Sequence, residues 1–152
     1  MDEPMRPNRT ARIRRALPLV LADLAIVGGL IVAGQMSHGM DPLGDPLVAL
    51  KSILPFAIGW LVVTTAAGTY TGGRALPRVA SPHTIARTAV EVSIYWLAGA
   101  NVGFLLRGSD LFPGGVPWEF TVVLTGLGLV ALVGWRVLLV LVFADRLVWH
   151  HE

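Results

Sequence analysis

The chain of 152 residues contains no cysteine and few charged side chains. Without cysteine there is no disulfide, no thiolate metal site and no cysteine nucleophile. The 12 basic residues are scattered along the chain, so they do not form the patch that binds nucleic acid. Charged residues make up 14% of the sequence and hydrophobic residues 54%, which is too apolar for an ordinary soluble domain. The low content of charged residues and the high content of hydrophobic residues indicate a membrane protein.

Four apolar stretches are long enough to cross a bilayer as helices, which takes about 20 residues each. They cover residues 18–36, 46–70, 82–106 and 117–149. Each begins at a proline, which suits the first helical position because proline lacks the N–H that would be unpaired there. We therefore expect an all-α fold, an antiparallel bundle of four transmembrane helices over residues 17–149 that follows a basic tail over residues 1–16.

Two residues interrupt these apolar segments. Asp23 breaks the first, which reduces its likeness to a cleaved signal peptide even though a basic region precedes it. We favour a transmembrane helix over that alternative because the segment is long enough to span. Pro55 lies inside the second segment, where it removes one backbone hydrogen bond and predicts a kink or a split.

Loop charge predicts the orientation, because basic residues in short loops favour the cytoplasmic side. Nine arginines fall on one side of the predicted bundle, whereas Lys51 and Arg107 fall on the other. The nine are Arg6, Arg9, Arg12, Arg14, Arg15, Arg74, Arg78, Arg87 and Arg146. Both termini are then cytoplasmic, and the tail sets the topology or additionally attracts anionic lipid headgroups.

Three ionisable residues lie at membrane depth: Asp23, Glu91 and Arg136. An arginine near the bilayer centre costs at least about 2.5 to 3.5 kcal/mol on insertion scales, so such residues usually face the interior and pair. We expect a buried polar network in which Asp23 is the partner of Arg136. Glu91 has a second option in Arg87, one helical turn away. The network is either a fixed ion pair that specifies packing or the titrating site of a small carrier.

A second polar group gathers at the opposite, outer surface. It consists of Ser37, His38, Arg107, Asp110 and Glu119. These side chains are candidates for a shallow outer-face site for an anion or a headgroup, with Arg107 supplying the charge. The alternative is that they are merely interfacial, with Arg107 extending its charged end to water.

Small residues recur at four-residue spacing in Ala25-Gly29-Ala33 and in Gly99-Gly103. Such spacing lets helix backbones approach closely, either within one bundle or between two copies. We expect it to serve packing within the bundle. Among the tryptophans, we expect Trp118 and Trp149 at the interfaces and Trp60, Trp96 and Trp135 in the core.

Motifs for catalysis are missing from the sequence. No Gly-x-Ser-x-Gly and no phosphate loop occurs, and the final His-His-Glu has no defined metal-ligand spacing. We therefore expect no enzyme activity, no cofactor and no metal.

Short motifs along the spans carry a resemblance to a known family. They are Asp23 in the first span, "GQMSH" at 34–38, "PFAIGW" at 55–60, "VGFLLR" at 102–107 and "GWR" at 134–136. In this order they resemble the small membrane-protein family catalogued as domain of unknown function 3054, with the likeness running from Leu19 to Val137.

The resemblance implies four spans in a bacterial or archaeal cytoplasmic membrane, and no assigned activity. The residues that match the family pattern are Asp23, His38, Trp60, Arg107, Trp135 and Arg136. Gln35 stands where the pattern has a basic residue, which weakens the outer-face site. The pattern has no acid at the position of Glu91, which makes that residue a feature of this chain.

These observations favour a non-enzymatic structural or interaction protein of the cell envelope. The alternative is a small ion- or proton-coupled transporter that uses a buried carboxylate. Membrane lipids are the expected partners, together with a second copy of the chain or another membrane protein, and nucleic acid is not.

Overall fold

The computed structural model describes the backbone of residues 9–70, 80–112 and 114–148 and the side chains of residues 16–70, 80–112 and 114–142. Within these ranges the chain is all-α, with helices α1 (Arg9–Ser37), α2 (Pro46–Ala66), α3 (Pro82–Arg107) and α4 (Trp118–Val148). The predicted fold class is confirmed. Several predictions lie outside the described part, namely those on residues 1–8, the arginines at 74 and 78, the side chain of Arg146, Trp149 and the final His-His-Glu.

Each helix contains a segment long and apolar enough to cross a membrane. The segments are Ala16–Ser37, Pro46–Ala66, Pro82–Arg107 and Trp118–Val142. Large apolar side chains point outward from them, such as Leu105, which is 76% exposed, and Val130, which is 72% exposed. A soluble monomer rarely exposes a continuous surface of this kind, whereas lipid tails accept it. The composition and the surface together describe a multi-pass membrane protein.

The predicted start of the first helix is wrong. α1 begins at Arg9 and contains Pro18 in its interior, so the predicted tail over residues 1–16 is helical from Arg9 onward. The residues before the proline are mostly arginine, alanine and leucine, which have high helix propensity. Pro18 removes one backbone bond without ending the helix, because its neighbours continue the ladder on both sides.

The predicted end of the second helix is also wrong, because α2 ends at Ala66 rather than at Tyr70. Gly68 adopts a left-handed φ of +66°. Its N–H donates to the carbonyl of Thr65 at 3.0 Å, and the N–H of Thr69 donates to that of Thr64 at 3.0 Å. This pair of bonds is a Schellman motif, which closes the helix and reverses the chain. Tyr70 is thereby directed back toward the bundle.

The starts of the other helices agree with the sequence. Asp45 caps α2 by accepting the backbone N–H of Val48 at 3.2 Å. Ser81 caps α3 by accepting that of Thr84 at 3.1 Å. Each cap satisfies an N–H that has no partner within its helix. α4 begins at Trp118, one residue after the predicted start.

The helices form a ring in chain order. α1 and α3 each pack against α2 and α4, and no close backbone contact joins α1 to α3 or α2 to α4 in the described ranges. Neighbouring helices run antiparallel, as expected for short connections. The shared core is apolar and aromatic, with Trp60, Trp96, Phe56, Leu132 and Val27 fully buried.

Aromatic rings occupy the centre of this core. The ring centres of Trp60 and Trp96 lie 6.3 Å apart, and both side chains are fully buried. The prediction that these two residues lie in the core is confirmed. Trp118 is 72% exposed at the start of α4, in keeping with an interfacial position. Pro55 is fully buried within α2, which runs unbroken from Pro46 to Ala66, so the segment is not split.

Glycines make the contact between α2 and α3 unusually close. A Cβ added at Gly59 would collide with the carbonyl oxygen of Gly99 and lie 3.0 Å from the amide nitrogen of Gly103. The predicted use of Gly99 and Gly103 for packing within the bundle is confirmed. Backbone-to-backbone approach of this kind drives helix association in lipid, where burial of apolar surface gives no advantage.

The same prediction is wrong for the first helix. Ala25, Gly29 and Ala33 are exposed, and a Cβ added at Gly29 would meet nothing within 4 Å. α1 turns the face of Asp23 and Val27 to its neighbours instead. The small residues lie about half a turn away from that face, so they point out of the bundle.

We predict that Gly59→Ala destabilises the bundle by about 1 to 3 kcal/mol, because the new methyl group overpacks a contact made of rigid backbone. The matched control is Gly29→Ala, which adds the same group in open space and should leave stability unchanged or slightly raised. Thermal unfolding of both variants in detergent measures the difference. Equal stability of the two variants would contradict the glycine contact.

Candidate functional site

Asp23 of α1 and Arg136 of α4 form a buried ion pair. Asp23 is 0% exposed and Arg136 is 4% exposed. The Arg136 Nε donates to Asp23 Oδ1 at 3.0 Å, and its Nη2 donates to Asp23 Oδ2. This fork-to-fork arrangement is the strongest geometry open to an arginine and a carboxylate. The structure therefore brings together the two residues that the sequence suggested as partners.

The antiparallel bundle sets the two residues at one height. Asp23 follows the start of its span, Ala16, by seven residues, and Arg136 precedes the end of its span, Val142, by six. At about 1.5 Å per residue both lie roughly 10 Å inside the same end of the bundle. Each ion alone would be costly at that depth, and the pair has no net charge.

Tyr70 is a third member of this site, which the sequence interpretation missed. Its hydroxyl donates to Asp23 Oδ2 at 2.6 Å and accepts the indole N–H of Trp60 at 3.0 Å. The guanidinium carbon of Arg136 lies 5.8 Å from the centre of the Tyr70 ring. Asp23 thus accepts three hydrogen bonds, two from Arg136 and one from Tyr70.

The missed signal was Gly68. The sequence interpretation places Tyr70 at the end of the second helix, where the direction of its side chain relative to the bundle is not determined. A glycine two residues before a tyrosine, at the end of an apolar run, favours a left-handed C-terminal motif. That motif places Tyr70 at the same end of the bundle as Asp23, where tertiary packing brings the two side chains together.

Glu91 does not belong to the buried network, so its predicted place there is wrong. Its carboxylate accepts the Nε of Arg87 at 2.8 Å, and the two side chains are 33% and 55% exposed. The physical reason is local, because a partner one turn away on the same helix costs less chain entropy than one on another helix. Arg87, the alternative partner expected for Glu91, is the partner observed.

The residues of the predicted outer-face site make no polar contact with one another in the described ranges, and the site stays a prediction. The Arg107 Nε donates to the carbonyl of Gly115 at 3.1 Å, and its guanidinium carbon lies 5.0 Å from the centre of the Phe120 ring. His38, Asp110 and Glu119 are exposed, and none of them shares a hydrogen bond or an ion pair with Arg107 in the described ranges. Two loop carbonyls, those of Gly114 and Gly115, accept hydrogen bonds from the guanidinium.

Three buried polar atoms in the described side chains have no hydrogen-bond partner. They are Gln35 Oε1, Thr69 Oγ1 and Trp135 Nε1. Gln35 also donates through Nε2 to Ser52 Oγ at 3.1 Å, which links α1 to α2 near the C-terminal end of α1. Trp135, which was expected in the core, is half-buried and makes no hydrogen bond to Arg136. No group of three or more metal-ligating side chains occurs among the described residues.

Burial raises the pKa of Tyr70 above its usual value, and the Asp23 carboxylate raises it further by its charge and its hydrogen bond. The Arg136 charge and the hydrogen bond from Trp60 act in the opposite direction and are weaker. Since the folded pKa exceeds the unfolded one, this contribution to stability is fully present below about pH 10 and is lost as pH rises through the folded pKa. Tyr70 is a neutral donor at physiological pH.

Residues 20–139 match the sequence profile of a family described as "Protein of unknown function (DUF3054)". The chain belongs to this family. The matched DUF3054 region includes all members of the buried site, from Asp23 to Arg136, and all four apolar helices in whole or in part. No curated protein matches the chain, and no solved structure does.

We predict that Asp23→Leu and Arg136→Leu each lower stability by about 3 to 5 kcal/mol, because each leaves one buried charge without its partner. The double substitution should recover much of this loss, since an apolar pair of similar volume needs no charge compensation. Thermal unfolding in detergent of the wild type, both single variants and the double variant gives the coupling energy. Simple additivity of the two losses would mean that the ion pair does not act as a unit.

We predict that Tyr70→Phe lowers stability by about 1.5 to 3 kcal/mol, the range for a hydrogen bond to a charged group. The substitution also leaves the indole N–H of Trp60 without its acceptor. Tyr95→Phe is the matched control, because its hydroxyl makes no hydrogen bond within the described part of the chain. If the two variants unfold at the same temperature, Tyr70 contributes nothing to the site.

Proposed function

We propose that this DUF3054 protein is a non-enzymatic integral membrane protein of the cell envelope, with a structural or interaction role. The observation that carries the proposal is the set of fixed donors that surround the buried Asp23 carboxylate. Arg136 and Tyr70 supply three donors to it, and the ion pair is almost completely buried. An arginine is permanently charged in proteins, so this partner does not leave the carboxylate by losing a proton. A fixed pair suits a packing role better than a transport cycle.

In this proposal the pair specifies which helices are neighbours. It joins α1 to α4 and so closes the ring of helices. A buried ion pair is weak evidence for net stability, but a wrong pairing of helices would leave both charges uncompensated. The bundle would then keep one helix arrangement in the membrane and would not undergo a transport-related conformational change.

The proposal extends to location and partners. The protein lies in a bacterial or archaeal cytoplasmic membrane with both termini in the cytoplasm, as the loop charges favour. Its partners are membrane lipids and other membrane proteins, and it has no cofactor and no nucleic-acid ligand.

The alternative function is a small ion- or proton-coupled transporter. The observation that favours it is the hydrogen-bonded series from Trp60 through Tyr70 to Asp23, which joins α2, the turn after it and α1. In such a carrier Asp23 would release Arg136 when it takes up a proton or a cation. Movement about Pro55, inside α2, would accompany that release.

Proton flux into sealed proteoliposomes separates the two functions. We expect the wild type to match protein-free liposomes under an imposed pH gradient and potential, with Asp23→Asn giving the same trace. Asp110→Asn is the matched control, because it removes an exposed acid from the loop after α3. An uncoupler added at the end of each trace proves that the vesicles are sealed. Flux above the protein-free level that Asp23→Asn abolishes and Asp110→Asn preserves would favour the carrier.

A further inference from the structure

Polar side chains lie on the outward face of α3, among exposed apolar side chains of the same helix. Arg87 and Glu91 form a partly exposed pair, and Asn101 is exposed farther along the helix. At 3.6 residues per turn these three positions fall within one arc of about 80°. Ala98 and Leu105 are exposed in the same arc. We call this set the α3 outer face.

Glu91 and Asn101 lie at a depth where exposing a polar side chain to lipid has a high free-energy cost. At about 1.5 Å per residue, Glu91 lies roughly 14 Å from the start of α3 and Asn101 roughly 9 Å from its end. A helix of 26 residues extends beyond a hydrocarbon layer about 30 Å thick, and both positions fall inside that layer. Ionisable residues at such depth almost always face protein or water. The α3 outer face therefore requires a cover.

Asn101 has unused hydrogen-bonding groups. Its Nδ2 donates to the carbonyl of Leu97 at 2.7 Å, within its own helix. The side-chain carbonyl and the second N–H have no partner within the described ranges. An amide with one free donor and one free acceptor is complementary to a second copy of itself.

We propose that the α3 outer face binds a second copy of this chain. Two copies inserted in the same orientation are related by a twofold axis along the membrane normal, which brings each residue to the height of its counterpart. Asn101 then meets Asn101 of the partner, and the opposite charges of Arg87 and Glu91 can pair across the axis. Ala98, between these polar levels, is small enough for close approach.

This proposal goes beyond the proposed function and is independent of it. A homodimer is compatible with a structural protein and with a carrier, so failure of the flux experiment would leave it untouched. The exposed stripe of Ala25, Gly29 and Ala33 on α1 is the competing face. It carries no polar group that selects a second copy.

The absence of cysteine makes crosslinking clean, because a single introduced cysteine is the only thiol. Ala98→Cys probes the α3 outer face. Gly126→Cys is the matched control on α4. Trp96 packs against Gly128, and because α3 and α4 run antiparallel, Ala98, two residues after Trp96, lies at about the same height as Gly126, two residues before Gly128. Gly126 is exposed and has open space for a side chain. Gly29→Cys probes the competing face on α1.

We expect oxidation of native membranes to link Ala98→Cys into a dimer of the chain several-fold more efficiently than Gly126→Cys. Equal linking of the two variants would reflect random collision and would overturn the proposal. Linking through Gly29→Cys in place of Ala98→Cys would move the interface to α1. Linking of Ala98→Cys to a different protein, or no linking at all, would also overturn the proposal.

The polar contact has its own test in the dimer equilibrium. We expect Asn101→Leu to weaken association in detergent or lipid roughly three- to thirty-fold, the range for one interhelical hydrogen bond in a membrane. Asn101→Gln keeps the amide and should retain most of the affinity. The folding control is thermal unfolding of the monomer at high dilution, which should not change, because within one chain Asn101 bonds only within its own helix. Unchanged association of Asn101→Leu would overturn the role of the amide.

Discussion

The ion pair between Asp23 and Arg136 joins residues that are 113 positions apart and links the first helix to the last. Without it, each side chain would be a lone charge about 10 Å inside a membrane, a situation that costs several kcal/mol. With it, the arginine is satisfied by a bidentate contact and the carboxylate by a further bond from Tyr70. The ring of four helices in the described part of the chain therefore closes through a polar contact.

The two sides of the bundle are held together by different forces. On one side, Gly59, Gly99 and Gly103 allow the backbones of α2 and α3 to touch. On the other side, α1 presents Asp23 to the bundle and leaves its own small residues exposed. Lipid provides no hydrophobic force between helices, so each contact must come from close packing or from polar groups. α1 uses the second means through Asp23, in addition to the packing of Val27 and Ile31 in the core.

Polar groups at membrane depth therefore have two distinct roles in this DUF3054 protein. The inner set, from Trp60 through Tyr70 to Asp23 and Arg136, connects helices within one chain. The second set, on the outward face of α3, is not used by the chain itself apart from contacts along that helix. In the proposed dimer, this second set would select a second copy of the chain, as the inner set selects neighbouring helices within one chain.

Local chemistry along the chain was sufficient to predict the four spans, the starts of α2 and α3 at proline and the core positions of Trp60 and Trp96, because length, helix-start chemistry and composition act within a few residues. It also predicted Asp23 as the partner of Arg136, because burial of either charge alone is too costly. It could not predict the roles of Tyr70, Glu91 and the small residues of α1. Those depend on the direction in which each helix face turns, and many directions satisfy the same local rules. Tertiary packing chose among them, through the turn at Gly68 and the rotation of α1 toward its neighbours.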